Sequence, residues 1–192
     1  MTSVLSSPKK SLVLRRWQNA GVTVLTVLVC LLLLPVRLPG MNLLGIGPDW
    51  LLIWVVAWSV KRAPWEGAIA GLCLGLLQDA MTTAIPTHTL GLMVAGVLTA
   101  RLQKQRYIQE DIVSVALIVF GVAVLSETIM ALQISLHWLL IDGSLYPPLG
   151  EIWPYHQRIA LSSAILSSLW APALYYPLNR WWERQVPEDL TS

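Results

Sequence analysis

GAIAGLCLGLLQD, Gly67 to Asp79, is the stretch on which the reading of this chain turns. It is apolar until Gln78 and Asp79. Gly67, Gly71 and Gly75 recur at steps of four and Asp79 takes the next step, so on a helix all four lie in one stripe. Glycines at this spacing let a second backbone come close. Asp79 follows Trp65 by fourteen residues, about 21 Å along a helix, and so falls in the outer part of a bilayer core about 30 Å thick.

An aspartate near the bilayer centre costs about 2.5–3.5 kcal/mol, less towards the interface, so this carboxylate must face protein and hold hydrogen-bond partners. Gln78, Thr82, Thr83, Thr87 and His88 are near enough in sequence to supply them. Asp79 therefore reads as a cap on a broken helix end, with proton or cation binding as the alternative. Glu127 reaches a matching depth, about 22 Å from Ile112. The two acids could share a proton, flank a ligand, or each be hydrogen-bonded separately, and the sequence leaves these open.

Composition sets the class. The chain has 192 residues, of which 55% are hydrophobic and 12% charged, with a net charge of +2. That is too apolar for a water-facing surface and reads as an all-α integral membrane protein. Cys30 and Cys73 both sit in apolar runs, where they read as inert packing residues. The basic N-terminus followed by Ala20 to Val36 could suggest a signal peptide. That run is long and lacks an AxA-like cleavage site, so a retained span is expected.

Six segments approach the roughly 20 apolar residues that a spanning helix needs: about Trp17 to Val36, Leu43 to Val60, Trp65 to Ile85, Thr89 to Leu102, Ile112 to Leu136 and Gln157 to Leu178. One six-span domain over 1–192, with cytoplasmic tails 1–16 and 180–192, is the expected organisation. Lys9, Lys10, Arg15, Arg16, Lys61, Arg62, Arg101, Lys104, Arg106, Arg180 and Arg184 fall on one set of connections. Only Arg37 and Arg158 fall on the other. This asymmetry places both termini in the cytoplasm.

Tryptophans mark the boundaries. Trp17, Trp65, Trp138, Trp153, Trp181 and Trp182 stand at span ends, as headgroup anchors do. Trp50, Trp54 and Trp58 share one face of the second span and read as a lipid-facing or packing stripe rather than a stacking site. Small residues recur in the fourth span (Gly91, Ala95, Thr99) and the sixth (Ser163, Ser167, Ala171). All these faces suit packing within the chain, or else a partner protein.

Catalytic signatures are missing: the chain has no GxSxG, HExxH or Walker A motif. Asp142, Glu151, His156 and Arg158, in the expected last outer loop, match no metal spacing. No enzyme activity and no cofactor are expected.

The stretch Pro48 to Leu98 resembles the signature of the MreD family of rod shape-determining membrane proteins. It holds Pro48 and Asp49 at the start of a span, GLLQD at Gly75 to Asp79, and Leu90 with Gly91. It departs from the family after the aspartate, where AMTTAIPTHT replaces a glycine-rich turn. The resemblance implies a non-catalytic inner-membrane subunit of the bacterial elongation complex. Its partner would be a single-span MreC-like protein and, through it, the actin-like filament and the peptidoglycan synthase pair. Membrane lipid but no nucleic acid would be among its contacts. It also implies a fold similar to the membrane substrate-binding subunits of vitamin transporters. The rival reading is a small-molecule-binding transport subunit, with Asp79, Glu127 and the tryptophan stripe around one cavity.

Overall fold

The computed structural model describes residues 8–36, 41–82, 87–104, 111–140 and 148–184. Arg37, Thr83, Pro86, Arg106 and Asp142 lie outside the described residues, as do the side chains of Lys9, Lys10, Arg16 and Lys104. The described residues form six α-helices: α1 (Pro8–Leu33), α2 (Trp50–Ser59), α3 (Pro64–Thr82), α4 (His88–Lys104), α5 (Ile112–Leu140) and α6 (Leu149–Glu183). Two of them, α5 and α6, are long and apolar enough to cross a membrane.

The short α2 is the centre of the molecule. Nine of its residues, Trp50 to Ala57 and Ser59, are buried, and it touches every other helix. Apolar side chains on all sides of one helix suit either lipid or a full ring of neighbours, and here the neighbours surround it. At about 15 Å, ten residues cover half of a bilayer core. The expected second span, Leu43 to Val60, is therefore not one helix.

The first part of that segment is a tight turn. Leu43 and Ile46 exchange backbone hydrogen bonds at 2.9 and 3.0 Å around Leu44 (φ 55°) and Gly45 (φ 82°). Both central residues adopt positive φ, which suits Gly45 and is rare for leucine. Pro48 then supplies no N–H for a helix, and Asp49 starts one by accepting the Leu52 N–H at 3.0 Å. The Asp49 N–H donates in turn to Ser167 Oγ at 2.8 Å, near the middle of α6. Irregular backbone in a membrane protein is tolerated where protein covers it, which α6 does at Asp49, while Leu43 and Leu44 of the turn are exposed.

The other helices pair around this axis. α3 lies along α4, and α5 along α6, in the two most extensive interhelical contacts. The start of α3 is set by Pro64 in the first turn and by Glu66, whose carboxylate accepts the Ala63 N–H at 3.0 Å. Asp111 opens α5 as Asp49 opens α2, accepting the Ser114 N–H at 2.8 Å. Hydrogen bonds from Ser114 hold the exposed Asp111 carboxyl below the usual aspartate range. Helix α6 extends beyond the expected span at both ends and keeps Pro154, Pro172 and Pro177 inside it. Prolines are accommodated in membrane helices where neighbours satisfy the freed carbonyls.

Candidate functional site

The glycine stripe of α3 is buried against α4. A Cβ on Gly67 would lie 2.5 Å from the Gly96 carbonyl oxygen, and one on Gly71 would overlap the Leu92 carbonyl. One on Gly75 would overlap the Thr89 backbone. At each crossing, only glycine leaves room for the opposing main chain. Gly96, which would itself collide with the Gly67 carbonyl, completes the α4 side and was not singled out from the sequence. Gly91 faces the other way, against Ser126 of α5. α4 is thus narrow on two sides.

The stripe ends where α4 begins, and Asp79 bridges the two. Its Oδ1 accepts the N–H groups of Thr87 (3.1 Å) and His88 (2.9 Å) and lies 2.8 Å from His88 Nδ1. Its Oδ2 accepts the Thr89 N–H at 3.0 Å and the Thr89 hydroxyl at 2.6 Å. The first N–H groups of a helix have no partner inside it, and they carry the positive end of its dipole. A carboxylate contributed by the preceding helix answers both needs. Thr87 and His88 are among the expected partners, and Thr89 is an addition. Gln78 is buried beside Asp79, its carbonyl taken by the Thr82 hydroxyl at 2.7 Å and its Oε1 without a partner among the described residues.

Glu127 is bonded separately, to α6. Its Oε2 lies 3.3 Å from His156 Nδ1. His156 is therefore not an outer-loop residue: it sits inside α6, with only 8% of its side chain exposed. Among the described residues His156 is the single hydrogen-bond partner of the Glu127 carboxylate, where Asp79 has five donor groups. A carboxylate offers about four acceptor positions, so Glu127 keeps spare capacity that Asp79 has used. The pair lines a cavity of about 240 Å³ between α5 and α6, otherwise walled mainly by Val124, Ala131, Trp153 and Ala160. Asp49, the cap of α2, lies within electrostatic reach of both His88 and Glu127.

The tryptophan stripe is protein-facing. Trp54 donates its indole N–H to Thr26 Oγ1 at 3.0 Å, tying α1 to α2. Trp50 lies 5.9 Å from Trp170, ring centre to ring centre. Trp54 stacks on Trp58 at 5.3 Å, and the edge of Trp182 meets Trp58 at 5.1 Å. Trp182 is thus part of an aromatic cluster rather than a headgroup anchor, while Trp17 and Trp65 are exposed as anchors require. The Arg62 guanidinium covers Trp58 at 3.7 Å, and Lys61 pairs with Glu183 beside it. Hydrogen bonding from Lys61 holds the exposed Glu183 carboxyl below the ordinary glutamate range. Trp54 and Trp58 also edge a cleft of about 350 Å³ between α2 and α3, which exposes Cys73. Cys73 is therefore not a packing residue, whereas Cys30 is buried.

Residues 15–176 match the family model of the rod shape-determining protein MreD. The chain belongs to the MreD family. It is a rod shape-determining membrane protein, and the match runs from α1 through most of α6. No curated protein and no solved structure matches it. The two aspartates of the MreD signature stretch do one kind of work here, since each caps the N-terminus of a helix: Asp49 that of α2 and Asp79 that of α4.

Proposed function

We propose that this MreD protein is a non-catalytic subunit of the cell-elongation complex, which binds a single-span MreC-like partner and helps to organise peptidoglycan synthesis. The family match over residues 15–176 carries this reading. It is supported by where the polar residues are spent: Asp49 and Asp79 hold helix ends, and the glycine stripe holds α3 to α4. With those groups turned inward, the outer helix faces are left for recognition. The chain forms a single membrane domain with six membrane-embedded helices, α2 being a half-length one. Both termini are cytoplasmic, and the fold is that implied by the likeness to the vitamin-transporter subunits.

The transport reading needs Asp79, Glu127 and the tryptophans around one cavity. Among the described residues they are apart: Asp79 is engaged by α4, Glu127 lines the α5–α6 cavity, and Trp54 and Trp58 edge the α2–α3 cleft. Purification from the native host followed by mass spectrometry tests the proposal. An MreC-like protein at near-stoichiometric yield is expected, and a bound vitamin without that protein would overturn it.

A further inference from the structure

We infer that the cleft between α5 and α6 seats a single transmembrane helix, carried by the MreC-like partner, that presents a hydrogen-bond donor to Glu127. The inference rests on the partner reading above and names the surface that the reading leaves open. Glu127 stands near the middle of α5 and His156 is its sole partner among the described residues, so the carboxylate faces the cavity with unused acceptor positions. An intramembrane acid in that state is stable when a donor reaches it. Lipid chains carry no donor at that depth.

The shape of the surroundings selects a helix over a compact ligand. Thr128, Leu132 and Leu136 are exposed at steps of four on α5, and Leu161, Ile165 and Leu169 follow the same step on α6. On helices, these spacings make two outward rows that meet at the cavity, which Thr128 and Leu161 line, and run from it towards opposite ends of the helix pair. From Trp153 to Leu161 the α6 wall of the cavity runs for about 12 Å. The floor between them is Ala131 and Ala160, both buried and small, which admits a helix backbone. The cavity of about 240 Å³ has room for one or two side chains of that helix. A serine, threonine, asparagine, glutamine, lysine or arginine at the matching depth of the partner's span has the chemistry that Glu127 lacks.

The test uses the full chain in native-host membranes with tagged MreC. A photocrosslinking phenylalanine analogue is placed at Leu132 and Leu161 in the cleft, and at Leu25 on α1 and Ile69 on α3, which are comparably exposed. Adducts with MreC at Leu132 and Leu161 alone are expected. Glu127→Leu is expected to lower co-purified MreC at least tenfold while the isolated protein stays folded and monodisperse, its thermal midpoint lowered only by the lost bond to His156. Should Glu127→Leu fail to fold, the crosslinks in the otherwise native chain decide. Adducts at Leu25 or Ile69, with or without adducts in the cleft, would overturn the site while leaving the partner reading intact. So would adducts with lipid alone at Leu132 and Leu161. If MreC neither crosslinks nor co-purifies, the partner reading fails and the site with it.

Discussion

Asp79, near the end of α3, accepts the backbone N–H of His88, the first residue of α4, at 2.9 Å, and its Oδ1 lies 2.8 Å from that residue's imidazole Nδ1. One side chain near the end of α3 thereby begins α4. Water is scarce at this depth, so the donors at the α4 start depend on it.

Asp79→Leu leaves three backbone N–H groups, those of Thr87, His88 and Thr89, without their acceptor. A buried unsatisfied donor costs about 1–3 kcal/mol, so the loss is expected to reach several kcal/mol, with a steep fall in detergent thermal midpoint. Asp79→Asn keeps one acceptor oxygen and is expected to lose about 1–2 kcal/mol and retain rod-shape complementation. An Asn variant that is stable yet fails to complement would favour proton chemistry at Asp79 instead.

Gly71→Leu is expected to lower expression and thermal stability, because even its Cβ overlaps the Leu92 carbonyl. Gly121 has nothing within 4 Å of its Cβ position, so Gly121→Ala is expected to be neutral or to stabilise by up to about 1 kcal/mol. Thermal scans of the two variants side by side check both signs. A stable, well-expressed Gly71→Leu protein would show that α3 and α4 do not pack this closely.

The Lys61–Glu183 pair gives a pH signature. Glu183 titrates below its unfolded value of 4.5, so the pair's contribution is complete above that value and is lost as pH falls through the lower folded one. Between about pH 5 and about pH 3, the native protein is expected to lose slightly more thermal stability than Lys61→Ala. Both side chains are well exposed, at 38% and 50%, which keeps the difference below about 1 kcal/mol. Equal slopes would mean that the pair contributes nothing.

Cysteines placed at Glu151 and Asp111, in a chain lacking Cys30 and Cys73, test the orientation. Both positions are exposed and stand at opposite ends of the α5–α6 pair. Labelling by a membrane-impermeant reagent is expected at 151 and not at 111. Outside labelling at 111 would reverse the cytoplasmic placement of the termini.

The places where α1, α3, α4, α5 and α6 run were legible because each is a long apolar stretch with polar or aromatic ends. The length of α2 was not, since Leu43, Leu44 and Ile46 extend its apolar run and hide the turn. Gly45, Gly47 and Pro48 were the available warning, and Asp49 marked the true start. At the candidate site, GLLQD exposed the stripe and the cap because a carboxylate at the end of a glycine face has few other uses. The Glu127–His156 pair joins residues 29 apart on different helices, and no local spacing encodes which turn of α6 meets α5. The contact of Ser167 with Asp49 and the crossing of Gly96 with Gly67 were hidden for the same reason.

The division of roles between the two membrane acids is decided by measuring thermal midpoint and co-purified MreC together for Asp79→Leu and Glu127→Leu. Asp79→Leu is expected to lower the midpoint sharply and to lose the partner only in proportion to the folded protein lost. Glu127→Leu is expected to lower the midpoint far less, by the single bond lost to His156, and to lose the partner at least tenfold. A stable Asp79→Leu protein, or a stable Glu127→Leu protein that still binds MreC fully, would contradict this assignment.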